Sequence, residues 1–146
     1  MKVPKEASEV AELLMEVYQD HKRSFHACAK DYGFTVQQAA TLWNLPPEGQ
    51  GLAMSALAEI LMCDASNVTG IVDKLEARGL IKRGQAEDRR VKVLTLTSEG
   101  EALRSEMRAR MTAAPTWLIK LPRDDQRALR DILRSAFDKA DGEDSK

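Results

Sequence analysis

Residues 64–100, DASNVTGIVDKLEARGLIKRGQAEDRRVKVLTLTSEG, change their hydrophobic period halfway along. In the first half Val68, Ile71, Val72 and Leu75 recur at steps of three and four, which places them on one face of a helix. Asp64 offers an N-cap acceptor and Gly79 a left-handed C-terminal residue, so a helix is expected over 65–78. The second half holds two short β-branched and aliphatic runs, LIKRG and VKVLTLT, split by a charged segment, and reads as a two-stranded hairpin. Alternation in the second run sets Lys92, Leu94 and Leu96 on one face, with Leu94 and Leu96 able to pack on the helices. Thr97 or Ser98 then caps another helix, Ser98 and Glu101 standing at capping-box spacing.

Outward from this stretch the chain is helical. Val10, Leu13, Leu14, Val17, Phe25 and Cys28 keep helical spacing over roughly 7–31, and DYGFT ends that run. A second helix is expected over 36–44, before the Pro- and Gly-rich loop LPPEGQG. A third, near 55–62, turns Leu57, Ala58, Ile60 and Leu61 inward. Downstream, Pro115 limits the fifth helix, and a sixth begins after Pro122 with Leu129, Ile132, Leu133, Ala136 and Phe137 on one stripe. The order helix, helix, turn, helix, hairpin is that of a winged helix-turn-helix: a mainly α fold with a small β-hairpin.

The expected organisation is one unit over 1–146. It comprises an N-terminal dimerisation helix at 5–34, the winged helix-turn-helix lobe at 35–100, and C-terminal helices at 101–140 that complete the dimerisation region. Long helices at both ends leave apolar stripes that so small a core cannot cover, and a symmetric second copy would cover them. Val10, Leu13, Leu14 and Val17, with Leu129, Ile132, Leu133 and Phe137, are therefore the expected dimer interface.

If Val68, Ile71, Val72 and Leu75 face the core, then at 100° per residue Ser66, Gly70, Asp73 and Ala77 face away, flanked by Thr69, Asn67 and Lys74. Small and polar groups on a second helix suit close approach to the base edges of a DNA major groove; a plain solvated face has the same composition. The hairpin favours the groove. Arg89 and Arg90 stand where its tip would reach a narrow minor groove, whose negative potential attracts arginine, and Asp88 beside them can orient one. Asp73 would either accept from a cytosine amino group or hold a neighbouring basic side chain.

Residues 56–100 resemble the multiple antibiotic resistance regulator (MarR) family. The shared pattern runs through Leu57-Ala58, Val68-Thr69, Val72-Asp73, Leu75-Glu76, Gly79-Leu80, Asp88, Arg90, Leu96-Thr97 and Gly100. The resemblance implies a homodimeric transcription factor, usually a repressor, on a pseudo-palindromic double-stranded operator. Arg90 takes the position of the family's wing arginine and Asp88 that of its acidic partner. It further implies release by a small aromatic or otherwise apolar effector, bound between the dimerisation helices and the DNA-binding lobe, where His26, Tyr32 and Trp43 are candidates. Filling the core is the equal alternative for Trp43 and Tyr32. Two positions depart from the pattern: Met62 replaces a glycine common in the turn, so a different turn geometry is expected, and Gly70 replaces a basic or polar side chain.

The chain has 146 residues and a formal net charge of −1. Its positive excess is confined to residues 64–97, which argues against a globally basic coat and for a local patch. No apolar run has the length of a bilayer span, and the start lacks the apolar core of a secretory signal, so a cytoplasmic protein without a membrane partner is expected. Cys28 and Cys63 form no CxxC pair and read as buried hydrophobes. His21 and Cys28 are about 10 Å apart along one helix, too far to share an ion, and His26 lies on another face, so no metal or cofactor is expected within the chain. No Ser/His/Asp grouping, phosphate loop or HExxH suggests an enzyme. The alternatives are a redox- or metal-responsive regulator of the same fold, or a winged-helix module for protein interaction.

Overall fold

The computed structural model describes residues 4–47, 49–85 and 91–143, with side chains through 138. Its elements are α1 (Lys5–Asp31), α2 (Val36–Asn44), β1 (Leu52–Ala53), α3 (Met54–Leu61), α4 (Ala65–Ala77), β2 (Ile81–Gln85), β3 (Lys92–Leu96), α5 (Ser98–Met111), α6 (Thr116–Ile119) and α7 (Arg123–Glu143). They form two compact units, Met1–Thr112 and Ala113–Lys146.

In the first unit α2, α3 and α4 surround a core of Leu42, Leu45, Leu57, Val68, Val72 and Leu75, closed on one side by Ile81, Leu94 and Leu96. Each fully buried aliphatic side chain contributes roughly 1.5–3 kcal/mol. The face of α4 read from spacing is the one that packs, since Val68, Ile71, Val72 and Leu75 are all buried. Ile60, expected inward, is instead exposed; Leu57 is the fully buried residue of α3. A short helix turned by about 100° per residue cannot bury four neighbouring positions against one small core.

The hairpin becomes a three-stranded antiparallel sheet in the order β1-β3-β2. β1, just beyond the Pro-Gly loop, adds to the free edge of β3 by pairing Leu52 with Leu94 and Ala53 with Val93. Two residues have too little pattern to be read as a strand; long-range hydrogen bonding makes them one. On the other side β2 pairs Ile81 with Leu96 and Arg83 with Leu94, leaving Leu94 and Leu96 fully buried as their alternation requires.

α1 and α4 both end on a glycine with positive φ, Gly33 at 69° and Gly79 at 71°. In each case the next amide reaches back to a carbonyl five residues earlier, Phe34 to Ala29 and Leu80 to Leu75. α3 ends the same way with Met62, at φ 49° and ψ 45°, and Cys63 N–H donating to the Ala58 carbonyl. The turn geometry expected to differ is thus kept, and a side chain that disfavours it takes the glycine's place.

α5 is seated by its first turn. Thr97 is the N-cap; its hydroxyl accepts from Gly100 N–H and donates to the Gly79 carbonyl at 2.6 Å, while its own N–H donates to the Leu80 carbonyl at 3.1 Å. Gly100 lies against that same Leu80 carbonyl: a Cβ there would sit 2.8 Å from its carbon and closer still to its oxygen. Only glycine permits the approach.

α1 contributes to the core through its C-terminal end, where Cys28 and Ala29 are buried. Its earlier stripe, Val10, Leu13, Leu14, Val17 and Tyr18, is at least 40% exposed at every position. In the second unit a short α6, absent from the sequence reading, precedes α7, and the Gln126 side-chain amide donates to the Leu121 carbonyl at 2.9 Å between them. On α7, Ile132 and Phe137 are exposed and Leu129 and Leu133 are more covered. Among the described residues no single helix is long and apolar enough to cross a membrane.

Two substitutions test these junctions by urea unfolding at fixed protein concentration. Met62→Gly should stabilise by about 0.5–1 kcal/mol, because Met62 is 87% exposed and loses little contact while the left-handed strain is relieved. Gly100→Ala should destabilise by about 2 kcal/mol or more, since the clash is with backbone.

Candidate nucleic-acid interface

α4 presents Ser66, Asn67, Thr69, Gly70, Asp73 and Lys74 to solvent along one side. At its start Asp64 accepts from Asn67 N–H at 2.9 Å and from the Ser66 hydroxyl at 2.7 Å, and these bonds hold its carboxyl below the usual carboxylate range. The Thr69 hydroxyl donates back to the Ala65 carbonyl at 2.9 Å. With their protons engaged inside the helix, Ser66 and Thr69 turn acceptor lone pairs outward. A Cβ added at Gly70 would meet nothing within 4 Å, so this position is open surface rather than a packing requirement.

The N-terminal end of α2 flanks this side. Thr35 and Gln38 form a capping box, Gln38 N–H donating to the Thr35 hydroxyl at 3.2 Å and Thr35 N–H to Gln38 Oε1 at 2.9 Å. Thr35, Gln37 and Gln38 line a shallow groove with Ser66, Asn67, Gly70 and Lys74. The T-x-x-Q spacing in FTVQQ signals the cap; that the cap lies beside α4 is a tertiary fact.

Asp73 is engaged by a neighbour. Arg83, on β2, donates through Nη2 to Asp73 Oδ1 at 2.5 Å and through Nη1 to Glu76 Oε2, while its backbone N–H donates to Glu76 Oε1 at 3.3 Å. Two carboxylates one helical turn apart thus grip one guanidinium and fix the wing strand beside α4. The second role considered for Asp73, holding a basic side chain, is the one this geometry displays. Nothing in LIKRG marks Arg83 out from sequence, since Lys82 and Arg83 are adjacent cations after two aliphatic residues and spacing does not say which of them turns toward α4. Asp88, Arg89 and Arg90 lie outside the described residues.

The effector candidates do not converge. Tyr32 donates its hydroxyl to Glu106 at 2.6 Å, with Arg110 near its ring. Trp43 lies between the edge of Phe25 and the guanidinium of Arg108. His26 is exposed and lines a shallow groove with Gln19, Lys22 and Arg23, not with the two rings. On a helix, positions 26 and 25 point about 100° apart, and Phe25 takes the inward direction. Cys28 is 3% exposed and burial raises its thiol pKa, which disfavours a reactive thiolate. Cys63 is half-buried against the core.

The clamp has a measurable strength. A double-mutant cycle of Arg83→Met with Asp73→Asn, read by chemical denaturation, should give a coupling of about 0.5–1 kcal/mol, because the pair is partly exposed and screened. Doubling the salt several times over should reduce it.

Residues 34–92 match the sequence model of the MarR family. NicR of Pseudomonas putida, described as an HTH-type transcriptional repressor, is 33% identical over 100 residues, which span 68% of this chain and 63% of NicR, so more than a third of that relative is unmatched. Among solved structures, CouR from Rhodococcus jostii, bound to p-coumaroyl-CoA, is 28% identical over 89% of this chain and 92% of its own, with a TM-score of 0.65. A MarR family protein from Bacillus stearothermophilus, 22% identical, shares the fold over 96% of this chain and 99% of its own, with a TM-score of 0.78. The motif in residues 56–100, the winged fold that those residues build and these likenesses agree: the chain belongs to the MarR family.

Proposed function

We propose that this protein is a homodimeric, sequence-specific DNA-binding regulator, acting as a repressor that a small-molecule effector releases. The observation that carries the reading is the solvent side of α4, where acceptors, an amide, a glycine and a lysine are presented together and a wing strand is held beside them by Arg83. Asn67 can donate to and accept from one adenine edge, Lys74 suits phosphate, and Gly70 lets the helix come close. The repressor NicR and the ligand-bound CouR support the same reading. Such a regulator is not an enzyme and works in the cytoplasm.

The uncovered stripe of α1 supports a second copy as partner, since contiguous exposed leucine and valine on a monomer favour association. A symmetric dimer doubles the α4 side, which suits a pseudo-palindromic site with half-sites about one helical turn apart. The wing extends the reading. Arg90 enters the minor groove, Asp88 orients it, and Arg89 touches phosphate.

Selection of DNA fragments by the purified protein, followed by sequencing, should return an inverted repeat; random sequences would sink the proposal. On the selected site, Arg90→Ala should weaken specific binding by about 1–3 kcal/mol per subunit more than non-specific binding. Arg89→Ala should weaken both about equally and flatten the salt slope by about one unit. Leu133→Glu should yield monomer or unfolded chain in sedimentation, with DNA binding lost. A fully active dimer from that variant would remove α7 from the interface.

A further inference from the structure

We propose that Gln38, at the start of α2, and Lys74, on the outer side of α4, form a seat for one phosphate of the DNA backbone. The proposal deepens the regulator reading above, on which it rests, by naming a contact that fixes how α4 enters its groove.

The seat begins as a helix cap. Gln38 Oε1 closes the capping box by accepting from Thr35 N–H at 2.9 Å, and the planar amide then turns Nε2 the other way. Gln38 is only 8% exposed, yet among the described residues nothing accepts from Nε2, which opens into the groove of about 220 Å³ shared with Ser66, Asn67, Gly70 and Lys74. A donor drawn so far from water and left unmet is offset only by an acceptor from outside the chain.

The surroundings make that acceptor an anion. The Thr35 hydroxyl takes Gln38 N–H and the Thr35 carbonyl takes Ala39 N–H, while the amides of Val36 and Gln37 meet no acceptor among the described residues. They carry the positive end of the helix dipole at the same place. Across the groove Lys74 is exposed and forms no ion pair among the described residues. Its acidic neighbours Asp73 and Glu76 are both taken by Arg83, and Asp64 is engaged by Ser66 and Asn67. Amide donors at a helix start and one ammonium suit a phosphate diester. A helix lying in the major groove has a sugar-phosphate strand along each flank, and this groove runs along one flank of α4. Glutamate would serve the capping box equally, but it would turn a carboxylate toward that strand. Glutamine caps through one atom and donates through the other.

The test titrates the full chain by fluorescence anisotropy with the selected duplex and with copies carrying one methylphosphonate each, a neutral substitute for one phosphate. Gln38→Glu keeps the cap, so its melting temperature should equal or exceed that of wild type. It should nonetheless weaken selected and random duplexes alike, at least tenfold, because phosphate carries no sequence. Lys74→Gln should weaken both at least threefold and flatten the salt slope by about one unit per subunit. At one position in each half-site the methylphosphonate should weaken wild type, and on that duplex neither variant should lose anything further; at other positions the losses should add. A folded Gln38→Glu that binds like wild type, or one whose loss persists on every methylphosphonate duplex, would overturn the seat and leave the regulator standing. Wild type that binds no duplex at all would overturn both. Submillimolar inorganic phosphate that displaces the duplex from wild type but not from Gln38→Glu, at matched ionic strength, would assign the seat to a free anion instead.

Discussion

The Leu80 carbonyl is the point on which the winged part of the first unit turns. It accepts from Thr97 N–H, and Gly100 lies against it with no room for a side chain. Leu80 follows the glycine that ends α4 and precedes β2; Thr97 follows β3 and caps α5. One carbonyl therefore joins the end of α4, both ends of the wing and the start of α5. If it moved, the angle between α4 and the wing would move with it. The hydroxyl of Thr97, bonded to Gly79, adds a second tie at the same place.

A helix that offers small and polar groups to solvent along one side has little intrinsic stability to spare. α4 carries Gly70 in its interior, together with β-branched valine and threonine. Its stability comes from the other side, where Val68, Val72 and Leu75 are fully buried, and from the cap at Asp64. The Arg83 clamp solves a related difficulty. Two unpaired carboxylates would leave this side of α4 locally negative, and pairing both with one guanidinium lowers that charge while fixing the wing.

α5 carries different loads along its length. Its first turn seats the wing, its middle buries Arg104 beside Arg108 and Trp43, and its last turn ties Glu106 and Arg110 to the end of α1. Arg78 adds a second link, donating to the Tyr32 and Gly33 carbonyls from the end of α4.

The order of the main helices, the inward face of α4, its cap at Asp64 and the burial of Leu94 and Leu96 were legible in the sequence, because each is a local property repeated over enough residues to show its period. The family motif was legible because its glycines answer to the backbone: Gly79 takes a left-handed turn and Gly100 lies against a carbonyl with no room for a side chain, while Met62 holds the same kind of turn only with strain. Contacts between elements were not. β1 exists because β3 had a free edge, Asp73 is held because β2 brings Arg83 beside it, and Trp43 meets Arg108 because α2 and α5 pack together. Spacing along one helix says which side chains share a face. It says nothing of what the next element, tens of residues away, will set against that face, and that is what the tertiary structure decided.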